Sequence, residues 1–200
     1  MFKRVLSSVL LAGVCMLATG CNADASTWMG ANVKVSANAP WESASAAQSL
    51  DALAKTGASK ALLVAFVWQA NPQSNDPVLG SDSSVEAMRA ALRQGHRAGL
   101  QTTLKVHVWI PGHWAGDTEP TDQAAWFAAY QNALLPLARL AEDEHAEALV
   151  IGTELRKLQD APQWPGLVAE VRKVYRGKVL YVADGMEPVS YTHLTLPTKR

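Results

Sequence analysis

A chain of 200 residues accommodates one domain or part of one, and a hydrophobic content of 48% supplies enough apolar side chain for a real core. Eighteen Lys and Arg balance eighteen Asp and Glu; that balance excludes both the basic face of a nucleic-acid binder and an acidic interaction tail.

The first segment reads as a targeting signal rather than as fold. Lys3 and Arg4 form a positive start, and Val5 to Leu17 is an apolar run too short to be a permanent membrane span. Ala18, Thr19 and Gly20 are small, and Cys21 follows. This order resembles a bacterial lipoprotein signal, so residues 1–20 are expected to be removed. Cys21 is then the lipidation site, and Asn22 to Thr27 a polar tether. The expected location is the bacterial cell envelope, lipid-anchored; plain secretion is the competing reading. The two cysteines are Cys15 and Cys21, so the mature chain has no pair for an internal disulfide and no cysteine metal site.

From Trp28 the chain alternates strand and helix. Met29 to Lys34 reads as a first strand. Ser43 to Lys55 has helical apolar spacing and stops at Gly57, a residue suited to the left-handed cap. Ala61 to Val67 is a buried strand running into Trp68 and Gln69, and Asn71 to Asp82 reads as loop. Ser83 with Glu86 forms a capping box for a helix to about Arg97, ended by Gly99. Leu100 to Val108 is the next strand, with polar side chains alternating along it. Trp109 to Pro120 is a loop, after which Thr121 or Asp122 caps a helix to about Asp143 that Pro136 should kink. A strand at Ala148, a helix from about Pro162 to Tyr175 capped by Gly177, and a strand Val179 to Ala183 ending in Asp184 complete the series.

Strand and helix at this spacing predict βαβ units and a parallel sheet. Lys34 to Asn38 carries no GxGxxG, so a dinucleotide fold has no support. An α/β (β/α)8 TIM barrel fits better. Such a barrel takes about 250 residues, and only about five strands are counted here, so the barrel is expected to be truncated after strand five. From Val189 the texture changes, and Val189 to Arg200 resembles the translation of a sequencing adaptor. Residues 189–200 are therefore expected to be foreign, residues 28–188 to be the N-terminal part of the domain, and the natural chain to continue.

The stretch Ala148 to Leu155, ALVIGTEL, concentrates the chemistry. An apolar strand ends in Gly152 and Thr153, and Glu154 sits at its carboxyl end, where parallel folds bind ligands. A surface Glu opening the next helix is the competing reading. At the other strand ends lie Trp68, His107 with Trp109, and Asp184, and Lys105 alternates with His107. Converging on one mouth, aromatic faces, an imidazole and carboxylates suit a sugar-cleaving site. Core packing accounts for part of the seven tryptophans. Lys105 suits pairing with a buried carboxylate as well as a substrate contact. His107 and His113 could ligate zinc, but no third ligand stands at recognisable spacing. No GxSxG elbow is present. No metal, no cofactor and no nucleic-acid partner are expected; the partners are a carbohydrate substrate and, through Cys21, a membrane.

The order of motifs resembles glycoside hydrolase family 113, TIM-barrel β-mannanases and relatives. The matching pieces are MGANV, LLVAFVWQANPQS, LKVHVW, HWAGD, AAWFAAYQNALLPLARLAE, VIGTEL and LVAEVRKVYRGKVLYVAD, covering nearly all of Trp28 to Asp184. The resemblance implies a retaining hydrolase of β-linked, mannan-like sugar. Glu154 would be the general acid/base on strand four, and a Glu on strand seven the nucleophile. That strand is not among those counted, so the chain as it stands is expected to be inactive alone. KVH replaces the more usual KPH. The rival from another class is a non-catalytic carbohydrate-binding surface lipoprotein.

Overall fold

A computed structural model describes residues 29–184. The expectations for residues 1–28, Cys21 among them, and for 189–200 lie outside the described residues.

Five strands form a parallel sheet: β1 (Gly30–Lys34), β2 (Lys60–Trp68), β4 (Gln101–Trp109), β5 (Ala148–Thr153) and β6 (Lys178–Val182), lying side by side in chain order. The crossovers carry helices α1 (Ala44–Lys55), α2 (Val85–Arg97), α3 (Gln123–Asp143) and α4 (Trp164–Val174). This is the expected α/β barrel architecture. One strand was not anticipated: β3 (Val78–Leu79), inside the loop after β2, pairs antiparallel with Val67 and Trp68. Two residues are too few for a period-2 signal to stand out.

Alternation along the strands divides the sheet into two faces. Leu63, Ala65 and Val67 of β2, with Leu104, Val106 and Val108 of β4, join the core formed with Met88, Leu92, Leu134 and Leu137 of the helices. The intervening positions lie on the opposite, concave face: Val64, Phe66 and Trp68 on β2 stand beside Lys105, His107 and Trp109 on β4. The polar alternation on β4 is thus the mark of this second face.

Helix ends follow local chemistry, with three departures from expectation. Gly57 and Gly99 take positive φ after α1 and α2, as caps should. The cap of α2, however, is Ser84, whose Oγ accepts from Ala87 N. Ser83 is fully buried, and its Oγ accepts from Phe66 N in β2, tying the start of the helix to the strand. Gly177 has no positive φ, because α4 already ends at Val174 with Tyr175 extended. What Gly177 supplies is space: a Cβ there would overlap the buried Tyr175 hydroxyl end. α4 itself opens at Trp164 rather than Pro162, with Pro165 in its first turn. Helix α3 runs from Gln123 to Asp143 with Pro136 inside it. The ring removes only the N–H that would reach Asn132, which lies on the exposed side where solvent can replace it.

Candidate functional site

The upper end of β5 departs from regular pairing, and that departure sets the site. β5 and β6 keep register as far as Val150 with Leu180, then shift before Thr153 pairs with Val182. A bulge of this kind frees backbone groups and re-aims the side chains that follow. Two carbonyls beside it are satisfied by side chains: Ile151 O on β5 accepts from Tyr130 Oη at 2.9 Å, and Val106 O on β4, beyond the last β4–β5 pair, accepts from Thr153 Oγ1 at 3.0 Å. Gly152 is required by space, since a Cβ would lie 2.8 Å from the Tyr181 ring and 2.9 Å from Trp164.

Glu154 follows directly. Its φ is +56°, the left-handed region, which costs a non-glycine residue about 1–2 kcal/mol. Neighbouring hydrogen bonds hold it there. Glu154 N donates to Val182 O at 2.8 Å, and Leu155 N to Tyr181 Oη at 3.0 Å. The half-buried carboxylate accepts through Oε2 from Trp114 Nε1–H at 2.8 Å.

Trp114 belongs to the loop after β4. Pro111 and Gly112 make a tight turn closed by His113 N donating to Ile110 O at 3.1 Å, with Gly112 at φ +71°. Trp114 N then donates to Asp117 Oδ2 at 3.2 Å, and the indole lies over Gly116, where a Cβ would overlap the ring. The Arg156 guanidinium carbon stands over the ring, 5.1 Å from its centroid.

Lys105 and His107 lie on the concave face with Asn32, Lys34, Val64, Phe66 and Trp109 around one cavity. Lys105 Nζ donates to Asn32 Oδ1 at 3.2 Å. Burial pushes the pKa of Lys105 below its ordinary value, with the charge of Glu154 opposing. Burial likewise pushes His107 down; Glu154 opposes, and Lys105 adds to the fall. Glu154 is therefore within electrostatic reach of both.

Trp109 and Trp68 stand on the rim in register, ring centroids 6.1 Å apart, 42% and 39% exposed. Phe66 meets Trp109 and His107 edge-on at 5.6 and 6.0 Å. Behind them Gln69 is buried: its Oε1 accepts from Trp126 Nε1 at 2.7 Å, and its Nε2 donates to Asn71 O and Pro72 O. That side chain fixes the loop carrying Trp68. Asp184 lies two residues past the end of β6. Lys105, His107 and Trp109 thus line one cavity with Asn32, Trp68 stands beside Trp109, and the charge of Glu154, which is not in that lining, is felt by Lys105 and His107. Trp114 and Asn32 are the members the sequence alone did not single out.

His113 turns away toward Asp117 at 3.9 Å. Among the described residues no group of three or more His, Cys, Asp or Glu could hold a metal ion, and no helix is long and apolar enough to cross a membrane.

The family model for Glycoside Hydrolase Family 113 matches residues 30–194. That range runs into the segment from 189 on that was expected to be foreign. A GH113 β-1,4-mannanase complex shares the fold at TM-score 0.67 and 24% identity, covering 73% of this chain and 52% of its own. A second GH113 β-1,4-mannanase structure gives 0.67 and 23%, with 78% and 56% covered. The GH113 β-mannanase of Alicyclobacillus acidocaldarius, in complex with ManMIm, gives 0.65 and 22%, with 71% and 49% covered. The chain spans about half the length of these structures. No curated protein matches it.

Proposed function

Because the chain belongs to glycoside hydrolase family 113, we propose that the protein is a retaining hydrolase of β-linked, mannan-like polysaccharide or oligosaccharide, with Glu154 as its general acid/base. The observation that carries this reading is the placement of the Glu154 carboxylate: at the carboxyl end of a barrel strand, on a strained backbone, in reach of Lys105 and His107. In the first step Glu154 gives its proton to the departing glycosidic oxygen while a second carboxylate attacks the anomeric carbon. In the second step Glu154, now ionised, takes a proton from water, and that water cleaves the glycosyl–enzyme bond. The second carboxylate would belong to a later barrel strand and lie about 5–5.5 Å away. Neutral His107 suits hydrogen bonding to sugar hydroxyls, Lys105 donates to them, and Asp184 accepts at the rim. Trp68 and Trp109 offer the faces on which sugar rings stack.

The test is Glu154→Gln in the full-length protein, assayed on unactivated mannan oligosaccharide and on an aryl glycoside with a good leaving group. Turnover of the unactivated substrate should fall by at least about a hundredfold. Activated substrate should suffer less in glycosylation, and azide should restore part of its turnover. Wild-type rates in the variant would remove Glu154 from the acid role. An intact wild type that binds the sugar without cleaving it would make the protein a binding module.

We also propose that Cys21 anchors the protein to a membrane in the bacterial cell envelope. The support is the order of charge, apolar run and small residues before it. Cys21→Ser should abolish palmitate labelling and accumulate precursor; equal labelling would overturn the anchor.

A further inference from the structure

We propose that Trp114 is a positioning residue for the acid/base, working as a clamp that presents one carboxylate oxygen of Glu154 to the substrate by occupying the other. This rests on the reading of Glu154 given above. Trp114 Nε1–H meets Oε2 at 2.8 Å, leaving Oε1 as the oxygen to carry and return the proton. A carboxylate so held loses the freedom to rotate about its terminal bond, and a reacting group held in one orientation gains rate without new contacts to substrate.

The clamp is itself braced on three sides. Below the ring, Gly116 has no side chain, and any Cβ there would overlap the indole. At the backbone, Asp117 fixes the position of Trp114 by accepting from its N–H at 3.2 Å. Above, Arg156 stands over the ring at 5.1 Å; its own N donates to Glu154 O at 2.9 Å. Arg156 therefore ties the indole to the same turn that carries the carboxylate. The core indole of Trp164 also packs on a glycine, Gly152, and donates to a main-chain carbonyl, Leu158 O; what sets Trp114 apart is that its acceptor is the Glu154 carboxylate.

The experiment is Trp114→Phe in the full-length enzyme, alone and combined with Glu154→Gln. Phenylalanine keeps a ring over Gly116 and removes the donor. The expected result is a fall in kcat of about tenfold on unactivated oligosaccharide, with KM within about twofold, and a much smaller fall on the activated aryl glycoside. The double variant should be no slower than Glu154→Gln alone, because both changes act on one proton transfer. Gly116→Ala is the second variant. It displaces the indole while leaving its N–H intact, and should show the same dependence on leaving group. Circular dichroism and the unfolding midpoint are measured for each; if Trp114→Phe does not fold, Gly116→Ala decides. A loss equal on both substrates, or one that adds in full to Glu154→Gln, makes Trp114 a structural residue and overturns the clamp. If Glu154→Gln alone runs at the wild-type rate, it is the acid assignment that fails; a slow Glu154→Gln beside a normal Trp114→Phe sinks the clamp and spares the acid.

Discussion

Lys60, opening β2, and Glu147, immediately before β5, form an ion pair of 2.6 Å that reaches across the intervening β4. Lys60 is 4% exposed and also donates to Gln101 Oε1 at 2.6 Å. Glu147 accepts in addition from Lys178 at 3.0 Å. One carboxylate thus ties the feet of β2, β5 and β6 at the end of the barrel opposite the site.

Glu147→Gln should destabilise the protein by about 1.5–3 kcal/mol, the scale of hydrogen bonds to charged groups. The Lys60 hydrogen bond holds the Glu147 carboxyl below its ordinary value of 4.5; burial opposes, and Lys178 assists. A carboxyl depressed in this way stabilises the fold above pH 4.5 and loses that contribution as pH falls through the folded value. The difference between wild type and variant in urea should therefore shrink below pH 4.5. A difference unchanged at pH 3 would show that charge is not its origin.

His107 sets a second pH dependence. Its pKa lies below 6.5 because burial disfavours the imidazolium, so the native state holds it neutral. The unfolded chain takes up a proton near 6.5 where the folded one does not, and stability declines as pH falls below that value. His107→Gln should flatten the slope of the unfolding midpoint between pH 6.5 and 5. His96, also lowered by burial, stays in both proteins and cancels in the comparison. Identical slopes would place the pH sensitivity elsewhere.

Trp109→Ala and Trp68→Ala should each weaken oligosaccharide binding by roughly tenfold, on the order of one well-placed aromatic contact. The rate on a small activated glycoside should stay near wild type, since neither ring touches Glu154 in any hydrogen bond. Calorimetry against oligosaccharides of increasing length reads the effect. Unchanged affinity at every length would leave the two rings without a role in binding.

Gly152→Ala brings a methyl group 2.8 Å from Tyr181 and 2.9 Å from Trp164. Overpacking of this kind costs about 1–3 kcal/mol. Because the bulge at Gly152 aims Glu154, activity should fall further than the stability loss explains. A variant of lower midpoint but full kcat would separate the bulge from the chemistry.

Much of this was legible locally. Gly57 and Gly99 mark helix ends because a left-handed cap is a property of one residue and its neighbours. Glu154 stood out because an apolar strand closing in Gly-Thr announces its own carboxyl end. The alternation of Lys105 and His107 announced a second, polar face to β4. What escaped depends on contacts between distant segments. Trp114 meets Glu154 from 40 positions away, and nothing in HWAGD specifies which way the indole turns. Ser83 and Ser84 are interchangeable as caps until β2 supplies Phe66 N as a partner for the first. Gly177 resembles a cap in sequence, and only the Tyr175 ring shows that it is there for room.

Spatial order equals chain order across β1, β2, β4, β5 and β6, and this has a consequence for synthesis on the ribosome. Each new βα unit finds its neighbour already made, so the sheet can grow from its first strand without waiting for a distant one. The foot of the barrel is the exception. Glu147 emerges 87 residues after Lys60, roughly 4–17 s later at ordinary elongation rates. Chains stalled at increasing lengths should gain protease resistance in steps, with a distinct step once Glu147 has cleared the exit tunnel.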